Sequence, residues 1–418
     1  MKQLKKILQH PQFRKLLVYG FGQLFNLVTP LLVVPYIVGI CGEENFGKVG
    51  VGLAVSFFLI VFIDYGSDLV GVREISVHRD RPQMLGAIVM KSYTARLVVL
   101  LAVIAAVSVL FNVVPYFEED KMLFFFSLSI LAGKLLNPTW FLQGVENVRW
   151  ITLSNILSKS IYLAGVFLII RRPDQYIYVN LIWGAGMIIA NGLFLALIFR
   201  KYRFTLQWVG FAEIRDFLMR DFSMLGSQVF VSLQLNSPVI LLSYFGSDLM
   251  AGQYKIVEQI IVIFKTYIFL FFNYVFPKVC YLLEVEPKRA LRNWSVYNGA
   301  NLLFVAVGMT VFYIFAYDIV AYFNTTNRYL LSSLLHVAVL LPLAMAISIP
   351  MKQLLLGWNN KQFYVSVTSL LILCNLAAVI VLIPYYQVYG VFYALISGEV
   401  ITGLIYLVYL RKKIAAVI

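Results

Sequence analysis

The chain has 418 residues, of which 61% are hydrophobic and only 13% are charged. Soluble domains carry about 25% charged residues, so this composition excludes an ordinary soluble protein of two or three domains. The net charge of +14 is not typical of a nucleic-acid binder here, because the basic residues form short clusters between apolar runs, as in cytoplasmic loops. Three widely separated cysteines, Cys41, Cys280 and Cys374, provide neither a disulfide framework nor a zinc site.

Apolar runs long enough to cross a bilayer recur along the whole chain. A transmembrane helix needs about 20 apolar residues. Twelve segments meet this requirement: 16–40, 49–70, 85–111, 122–142, 150–170, 176–199, 222–245, 250–276, 297–317, 330–355, 363–383 and 388–410. The first segment lacks a small-residue cleavage site, so we expect it to be an uncleaved span and not a signal peptide. The sequence thus predicts an all-α integral membrane protein with about 12 transmembrane helices.

Lysine and arginine are unequally divided between the two sides of the predicted membrane. Alternate segments, beginning with the N-terminus, carry 24 of these residues, and the segments on the other side carry five. Cytoplasmic loops are enriched in Lys and Arg. Both termini are therefore predicted to be cytoplasmic, which requires an even number of spans.

The two halves of the chain share a weak repeat. Gly144-Val145-Glu146-Asn147 follows the fourth predicted span, and Gly357-Trp358-Asn359-Asn360 follows the tenth. Repeats of six spans have the same orientation and are related by an axis along the membrane normal, with transport sites at their interface. We predict an N-terminal six-helix lobe at 1–200, a cytoplasmic linker at 201–221 and a C-terminal six-helix lobe at 222–418.

Ionisable side chains inside the spans are the main candidates for function. Such a side chain costs about 2.5–3.5 kcal/mol at the bilayer centre on translocon scales, so it usually faces a partner or a hydrated cavity. In the eighth span, Lys255, Glu258 and Lys265 recur at helical spacing and share one face. A lipid-facing stripe with three charges is untenable, so this face is expected to line a polar space.

Cations outnumber anions in the middle of the spans, which favours a cavity for an anionic substrate. The residues predicted to form this cationic, substrate-binding cavity are Arg96, Lys134, Lys159, Lys255 and Lys265. The candidate carboxylates for proton or sodium coupling are Asp64, Glu258 and Glu399. The amides predicted to line the cavity are Gln23, Asn26, Asn137, Asn155, Gln228 and Asn236.

Structural ion pairs and interhelical hydrogen bonds are the alternative explanation of these polar residues. This alternative is favoured for Asp64 and Asp68, which lie near the cytoplasmic end of their span and close to Arg73. For Lys255, a side chain extending to the outer interface is equally compatible with the sequence.

The motifs in the sequence do not indicate an enzymatic function. Residues 42–49 resemble the P-loop pattern GxxxxGK[ST], but Val49 replaces the hydroxyl that would hold magnesium, and a membrane helix precedes the motif where a strand is required. We interpret the motif as a tight glycine turn between two helices. We expect a protein that is not an enzyme and that holds neither a cofactor nor a metal.

Several stretches resemble a known family. They are Thr29-Pro30-Leu31-Leu32-Val33-Val34-Pro35-Tyr36, Gly42-Glu43-Glu44-Asn45-Phe46-Gly47, Asp64-Tyr65-Gly66 and Asn137-Pro138-Thr139-Trp140-Phe141-Leu142-Gln143-Gly144. Together they are similar to the signature of the Wzx-type O-antigen flippases, the polysaccharide branch of the multidrug/oligosaccharidyl-lipid/polysaccharide exporter superfamily. The resemblance extends over the whole chain.

The resemblance implies two six-helix lobes around a central cavity. It also implies flipping of undecaprenyl-diphosphate-linked oligosaccharide across the bacterial inner membrane, for O-antigen or a related polysaccharide. Our hypothesis for the mechanism is alternating access. The expected partners are this substrate, membrane lipid, a coupling proton or sodium ion, and the polymerase and chain-length proteins of the pathway. The alternatives are a multidrug exporter of the same superfamily, a lipid II flippase, and a membrane-embedded glycosyltransferase or polymerase.

Overall fold

The computed structural model describes residues 11–205 and 209–417, and helices account for nearly all of them. The α-helices are α1 (Pro11–Asp64), α2 (Val72–His78), α3 (Pro82–Val113), α4 (Lys121–Ser127), α5 (Ser129–Leu135), α6 (Thr139–Gly144), α7 (Val148–Ile169), α8 (Val179–Tyr202), α9 (Phe211–Phe245), α10 (Asp248–Val285), α11 (Pro287–Ile314), α12 (Ala316–Ala321), α13 (Arg328–Ala338), α14 (Leu340–Gly357) and α15 (Lys361–Val417). A π-helix (Ser67–Gly71) and two 3₁₀ turns (Pro115–Phe117 and Pro173–Tyr178) connect them. Since these residues contain no strand, the predicted all-α fold is confirmed.

Ten helical stretches of the described chain are long and apolar enough to cross a membrane. Two of them are much longer than one crossing requires: Leu24–Asp64 has 41 residues and Lys361–Arg411 has 51. At about 1.5 Å per residue, each is at least twice as long as a hydrocarbon core of about 30 Å. The protein is therefore a multi-pass membrane protein, and the number of twelve crossings remains a prediction.

Both very long stretches contain one residue that is not helical. Gly42 in α1 has φ 83°, and Gln387 in α15 has φ 51°. A positive φ is readily adopted by glycine, which has no Cβ. The break at Gly42 lies at the start of the glycine motif, so the predicted turn between two helices is confirmed.

The described residues divide into two compact units. The first contains residues 11–41 and 48–236. In it, α8 packs on α5 and α7 through small residues: a Cβ on Gly184 would lie 2.0 Å from Ser129 Oγ, and one on Gly186 would lie 2.7 Å from the Ser158 carbonyl oxygen. Small residues of this kind let membrane helices approach closely.

The second unit contains residues 42–47 and 237–417. Its apolar core joins α10, α11, α14 and α15 around Leu283, Leu354 and Tyr406. Inside it, the Asn298 amide donates a hydrogen bond of 3.1 Å to the Gln353 side chain and so links α11 to α14. The predicted lobe boundaries, at 1–200 and 222–418, stay a prediction.

Candidate functional site

Four charged side chains of the first unit form what we call the Asp64 cluster: Asp64, Asp68, Arg96 and Lys134. Lys134 Nζ lies 2.8 Å from Asp64 Oδ2, and Arg96 Nη2 lies 3.3 Å from Asp64 Oδ1. Asp68 Oδ2 is farther from Lys134, at 3.7 Å, and its side chain is 52% exposed. Asp64 therefore neutralises cations from two other helices, α3 and α5.

Backbone carbonyls hold Arg96 in place within this cluster. Its Nε donates to the Ile63 carbonyl oxygen at 3.0 Å, and its Nη2 donates to the Lys134 carbonyl oxygen at 3.1 Å. Those carbonyls belong to the end of α1 and to the end of α5. The guanidinium thus ties three helices together, which favours a structural role for this ion pair.

The chain leaves α-helical geometry immediately after Asp64. Tyr65 and Gly66 have positive φ values of 44° and 78°, and the π-helix begins at Ser67. Single π-helical turns are frequent at functional sites. This irregular backbone places the Asp68 carboxylate on the same ammonium that Asp64 contacts.

The structure places the predicted cations in unlike environments. The Arg96 side chain is 1% exposed, and Lys134 is 19% exposed and contacts two carboxylates. In this conformation Arg96 presents no surface to a ligand, and a part for either residue in substrate binding stays a prediction. Asp64 forms ion pairs with cations of α3 and α5, because the end of α1 packs against these helices.

Lys159 differs from the other cations of the first unit. Its Nζ lies 3.8 Å from the centroid of the Trp183 ring and 6.0 Å from that of Tyr162. Among the residues that the structure describes, no carboxylate forms an ion pair with it. This ammonium is therefore a surplus charge inside the helices.

In the second unit, Glu258 contacts both lysines of its own helix. Lys255 Nζ lies 2.7 Å from Glu258 Oε2, and Lys265 Nζ lies 3.8 Å from Oε1. All three side chains are largely buried, with exposures of 17–27%. The charged stripe predicted from the spacing in α10 is thus one cluster, and it has two cations for one carboxylate.

Glu399, on α15, is not a member of the ion-paired cluster around Glu258. The Ser348 hydroxyl, on α14, donates a hydrogen bond of 2.5 Å to Glu399 Oε2. No described Lys or Arg lies within ion-pair distance of it. It is a half-buried carboxylate held by a neutral donor, which suits reversible protonation, and its part in ion coupling stays a prediction.

Two of the six predicted amides have structural contacts. Asn137 Oδ1 accepts a hydrogen bond of 2.8 Å from the Thr139 amide at the start of α6, and Asn236 Nδ2 donates to the Ser232 carbonyl oxygen at 3.0 Å. Three further predicted amides are half-buried on their helices: Asn26, Asn155 and Gln228. Gln23 belongs to α1, but its side chain lies outside the described residues.

Two features of these sites were not predicted from the sequence. Trp183 contacts the Lys159 ammonium. It was not predicted because it is an uncharged residue among small residues of α8, and the candidates selected from the sequence were charged and amide side chains. Lys48, one of the five Lys and Arg residues on the less basic side of the predicted membrane, is only 10% exposed and lies 2.8 Å from Asp120 Oδ2. A lysine directly after a glycine turn, opposite the acidic 118–120 run, was the available signal for that pair.

The arrangement of helices has a known counterpart among solved structures. The structure of the lipid II flippase MurJ in an inward closed conformation matches with a TM-score of 0.74 and 14% sequence identity, over 94% of this chain and 87% of that chain. At this identity the likeness shows the fold alone. The chain has the fold of a membrane transporter, assembled from helices with buried charges.

Sequence comparisons show the family. The family model described as "Polysaccharide biosynthesis protein" matches residues 13–280, more than half of the chain, and the chain belongs to this family. Two relatives are named "Putative O-antigen transporter". The one from Escherichia coli (strain K12) is 22% identical over 298 residues, 68% of this chain and 71% of that protein. The one from Shigella dysenteriae is 23% identical over 397 residues, 92% of this chain and 95% of that protein.

These relationships confirm the resemblance to the Wzx-type polysaccharide branch of the exporter superfamily. The chain is a multi-pass transporter of that superfamily.

Proposed function

We propose that this protein flips an undecaprenyl-diphosphate-linked oligosaccharide from the cytoplasmic to the outer leaflet of the bacterial inner membrane. The distribution of Lys and Arg supports cytoplasmic termini, and the product would feed polymerisation of O-antigen or a related polysaccharide. The observation that carries the proposal is surplus positive charge inside the helices. Lys159 has no carboxylate partner in the described chain. Lys255 and Lys265 share Glu258 as their ion-pair partner, and Glu399 acts on Lys265 only from beyond ion-pair distance.

Unbalanced cations at membrane depth are costly unless a partner neutralises them. A diphosphate headgroup supplies such a partner, and its charge is strongly attracted where the dielectric constant is low. A transported cation, which a multidrug exporter of this superfamily would carry, gains nothing from these lysines. The charge balance therefore supports an anionic, lipid-linked substrate over a cationic drug.

Alternating access coupled to a proton or sodium ion completes the proposal. Glu399 is the best-placed coupling group, because a hydroxyl and not a cation contacts it. Asp64 and Glu258 are the other candidates, and each is already paired with lysine. A carboxylate without an ion-pair partner changes protonation with less disturbance to its surroundings.

Deletion of the gene tests the proposed substrate. We expect undecaprenyl-diphosphate-linked repeat units to accumulate on the cytoplasmic face while surface polysaccharide is lost, and mass spectrometry of the lipid extract then identifies the sugars. Restoration by the intact gene is the control. Normal surface polysaccharide with no accumulated intermediate would contradict the proposal, and complementation of a strain lacking its lipid II flippase would favour that alternative.

Replacement of Lys265 tests the role of surplus charge. Lys265→Gln removes one cation and leaves the 2.7 Å pair of Lys255 and Glu258 in place, so the fold should be retained. We expect surface polysaccharide to fall about tenfold or more, with accumulation of the lipid-linked intermediate, and we expect Lys265→Arg to restore most of it. Lys288→Gln, an identical change at an exposed site of the same unit, should have no effect. Equal activity of Lys265→Gln and the wild type would overturn the electrostatic role.

A further inference from the structure

We propose that Lys159 and Trp183 form a binding subsite for a carboxylate carried directly on a sugar ring. The inference rests on the proposed function and narrows its substrate class to lipid-linked oligosaccharides that contain an acidic sugar of the uronic acid kind. Trp183 has no assigned role, and Lys159 is assigned only as one cation of several.

The aromatic side of the subsite is held by neighbouring rings. Trp183, on α8, packs against Tyr162 of α7 at 5.0 Å between ring centroids and against Phe57 of α1 at 5.8 Å in an edge-to-face arrangement. Tyr162 is 5% exposed, so it forms a fixed wall. The indole ring therefore keeps its orientation when the side chain that lies over it moves.

The cationic side of the subsite lacks a counter-ion. Lys159 Nζ lies over the indole at 3.8 Å, and no carboxylate of the described residues pairs with it. By contrast, Lys134 of α5 contacts Asp64 at 2.8 Å. A cation–π contact compensates only part of the free energy that an ammonium group loses with its hydration. An anionic group of the ligand would compensate the rest of this free energy.

The pairing of an ammonium group with an indole face indicates the kind of ligand. An ion pair with an incoming anion is stronger than the cation–π contact, so the flexible lysine side chain follows the anion and uncovers the indole face. That face then accepts the apolar C–H face of a sugar ring. Lys159 stays anchored on α7 beside Trp183 after its side chain moves, so a ligand that carries its anion on the stacked ring contacts both groups at once. A uronic acid has this arrangement away from the lipid headgroup, and a neutral sugar does not.

Ligand titration of the purified full-length protein in nanodiscs tests the subsite, with tryptophan fluorescence as the readout. The probes are glucuronic acid, glucose 1-phosphate, glucose and undecaprenyl diphosphate without sugars. We expect glucuronic acid to change the fluorescence of the wild type but not of Trp183→Phe, and glucose to have no effect. Lys159→Gln should weaken binding at least tenfold, and Lys159→Arg should retain it.

Lys201→Gln is the matched control, because Lys201 also lies over aromatic rings, 5.1 Å from that of Trp150 and 5.5 Å from that of Tyr202. This variant should bind like the wild type. Equal binding by Lys159→Gln would overturn the proposal. Lysine-dependent binding of undecaprenyl diphosphate or glucose 1-phosphate, without binding of glucuronic acid, would assign the site to the diphosphate end of the substrate and would also overturn it.

Thermal unfolding separates a ligand site from a structural contact. Removal of an unpaired, half-buried cation is neutral or stabilising when that cation serves only the ligand. We therefore expect Lys159→Gln without ligand to unfold at or above the wild-type temperature, and a clear decrease would contradict the proposal.

The two proposals fail in distinguishable ways. Failure of the deletion strain to accumulate lipid-linked intermediate would reject the proposed function but leave acidic-sugar binding measurable on the purified protein. Accumulation of the intermediate together with unchanged binding by Lys159→Gln and Trp183→Phe would reject the subsite alone.

Discussion

Replacement of Asp64 with asparagine is expected to destabilise the protein more than any other single charge substitution in the Asp64 cluster. It leaves Arg96, 1% exposed, and Lys134, 19% exposed, without the carboxylate that contacts both. Removal of one partner from a buried ion pair costs about 3–5 kcal/mol, because an uncompensated charge stays buried. The measurement is the thermal unfolding temperature of the detergent-purified protein, together with the yield of monodisperse protein. We expect a large decrease in both.

Asp68→Asn is the matched control for this prediction. Its carboxylate contacts the same lysine at 3.7 Å but is 52% exposed, and exposed pairs contribute about 0–1 kcal/mol. A second variant, Asp64→Asn with Lys134→Gln, should recover part of the lost stability because one buried cation is removed with its partner. If Asp64→Asn and Asp68→Asn behaved alike, the cluster would not be held together by the Asp64 charge.

Adding a methyl group at Gly47 should disrupt the packing of residues 42–47 on α10. A Cβ at Gly47 would lie 1.9 Å from the Asp248 carbonyl oxygen, and one at Gly252 would lie 1.9 Å from the Glu43 carbonyl oxygen. Both obstacles are backbone atoms, so no side chain can rotate away. Overpacking costs about 1–3 kcal/mol, and more where the backbone must move. Gly47→Ala and Gly252→Ala should therefore both lower the unfolding temperature and reduce transport.

Two other glycines distinguish steric crowding from backbone conformation. A Cβ at Gly42 has nothing within 4 Å, but its φ of 83° and ψ of 166° lie in a region that is essentially restricted to glycine, so a side chain there costs about 1–3 kcal/mol. Gly299, inside α11, also has nothing within 4 Å and has no unusual φ, so Gly299→Ala should stabilise the helix by about 0.5–1 kcal/mol. An unfolding temperature of Gly47→Ala equal to that of Gly299→Ala would show that the close approach is not required.

The Glu43 carboxylate connects residues 42–47 to a second part of the same unit. Its Oε1 accepts a hydrogen bond of 2.6 Å from the Thr326 amide, although the two residues are 283 positions apart. The residue is 4% exposed. The P-loop-like motif therefore uses its glycines for helix contact and its acidic residue as an anchor, which explains the residue types without any phosphate.

Features that depend on neighbouring residues in the chain were predictable. The helices follow from apolar runs, because the backbone hydrogen bonds of a span must be satisfied within the span. Lys255, Glu258 and Lys265 could be assigned to one face because a single helix positions them, and the structure brings all three together. The turn at Gly42 was marked by its glycines in the same way.

Features that depend on packing between helices were not predictable. Arg96 and Lys134 were grouped with Lys159 because all three are isolated cations in apolar spans, and no local pattern separates them. Only the packing of α3 and α5 against the end of α1 brings two of them to Asp64, and only the packing of α7 on α8 places Lys159 on Trp183. Hydropathy and charge count are sums over local sequence, so they determined the membrane fold and its net cationic character. The neutralisation of each charge depends on distances of a few ångströms between separate helices, and the tertiary structure alone decided those.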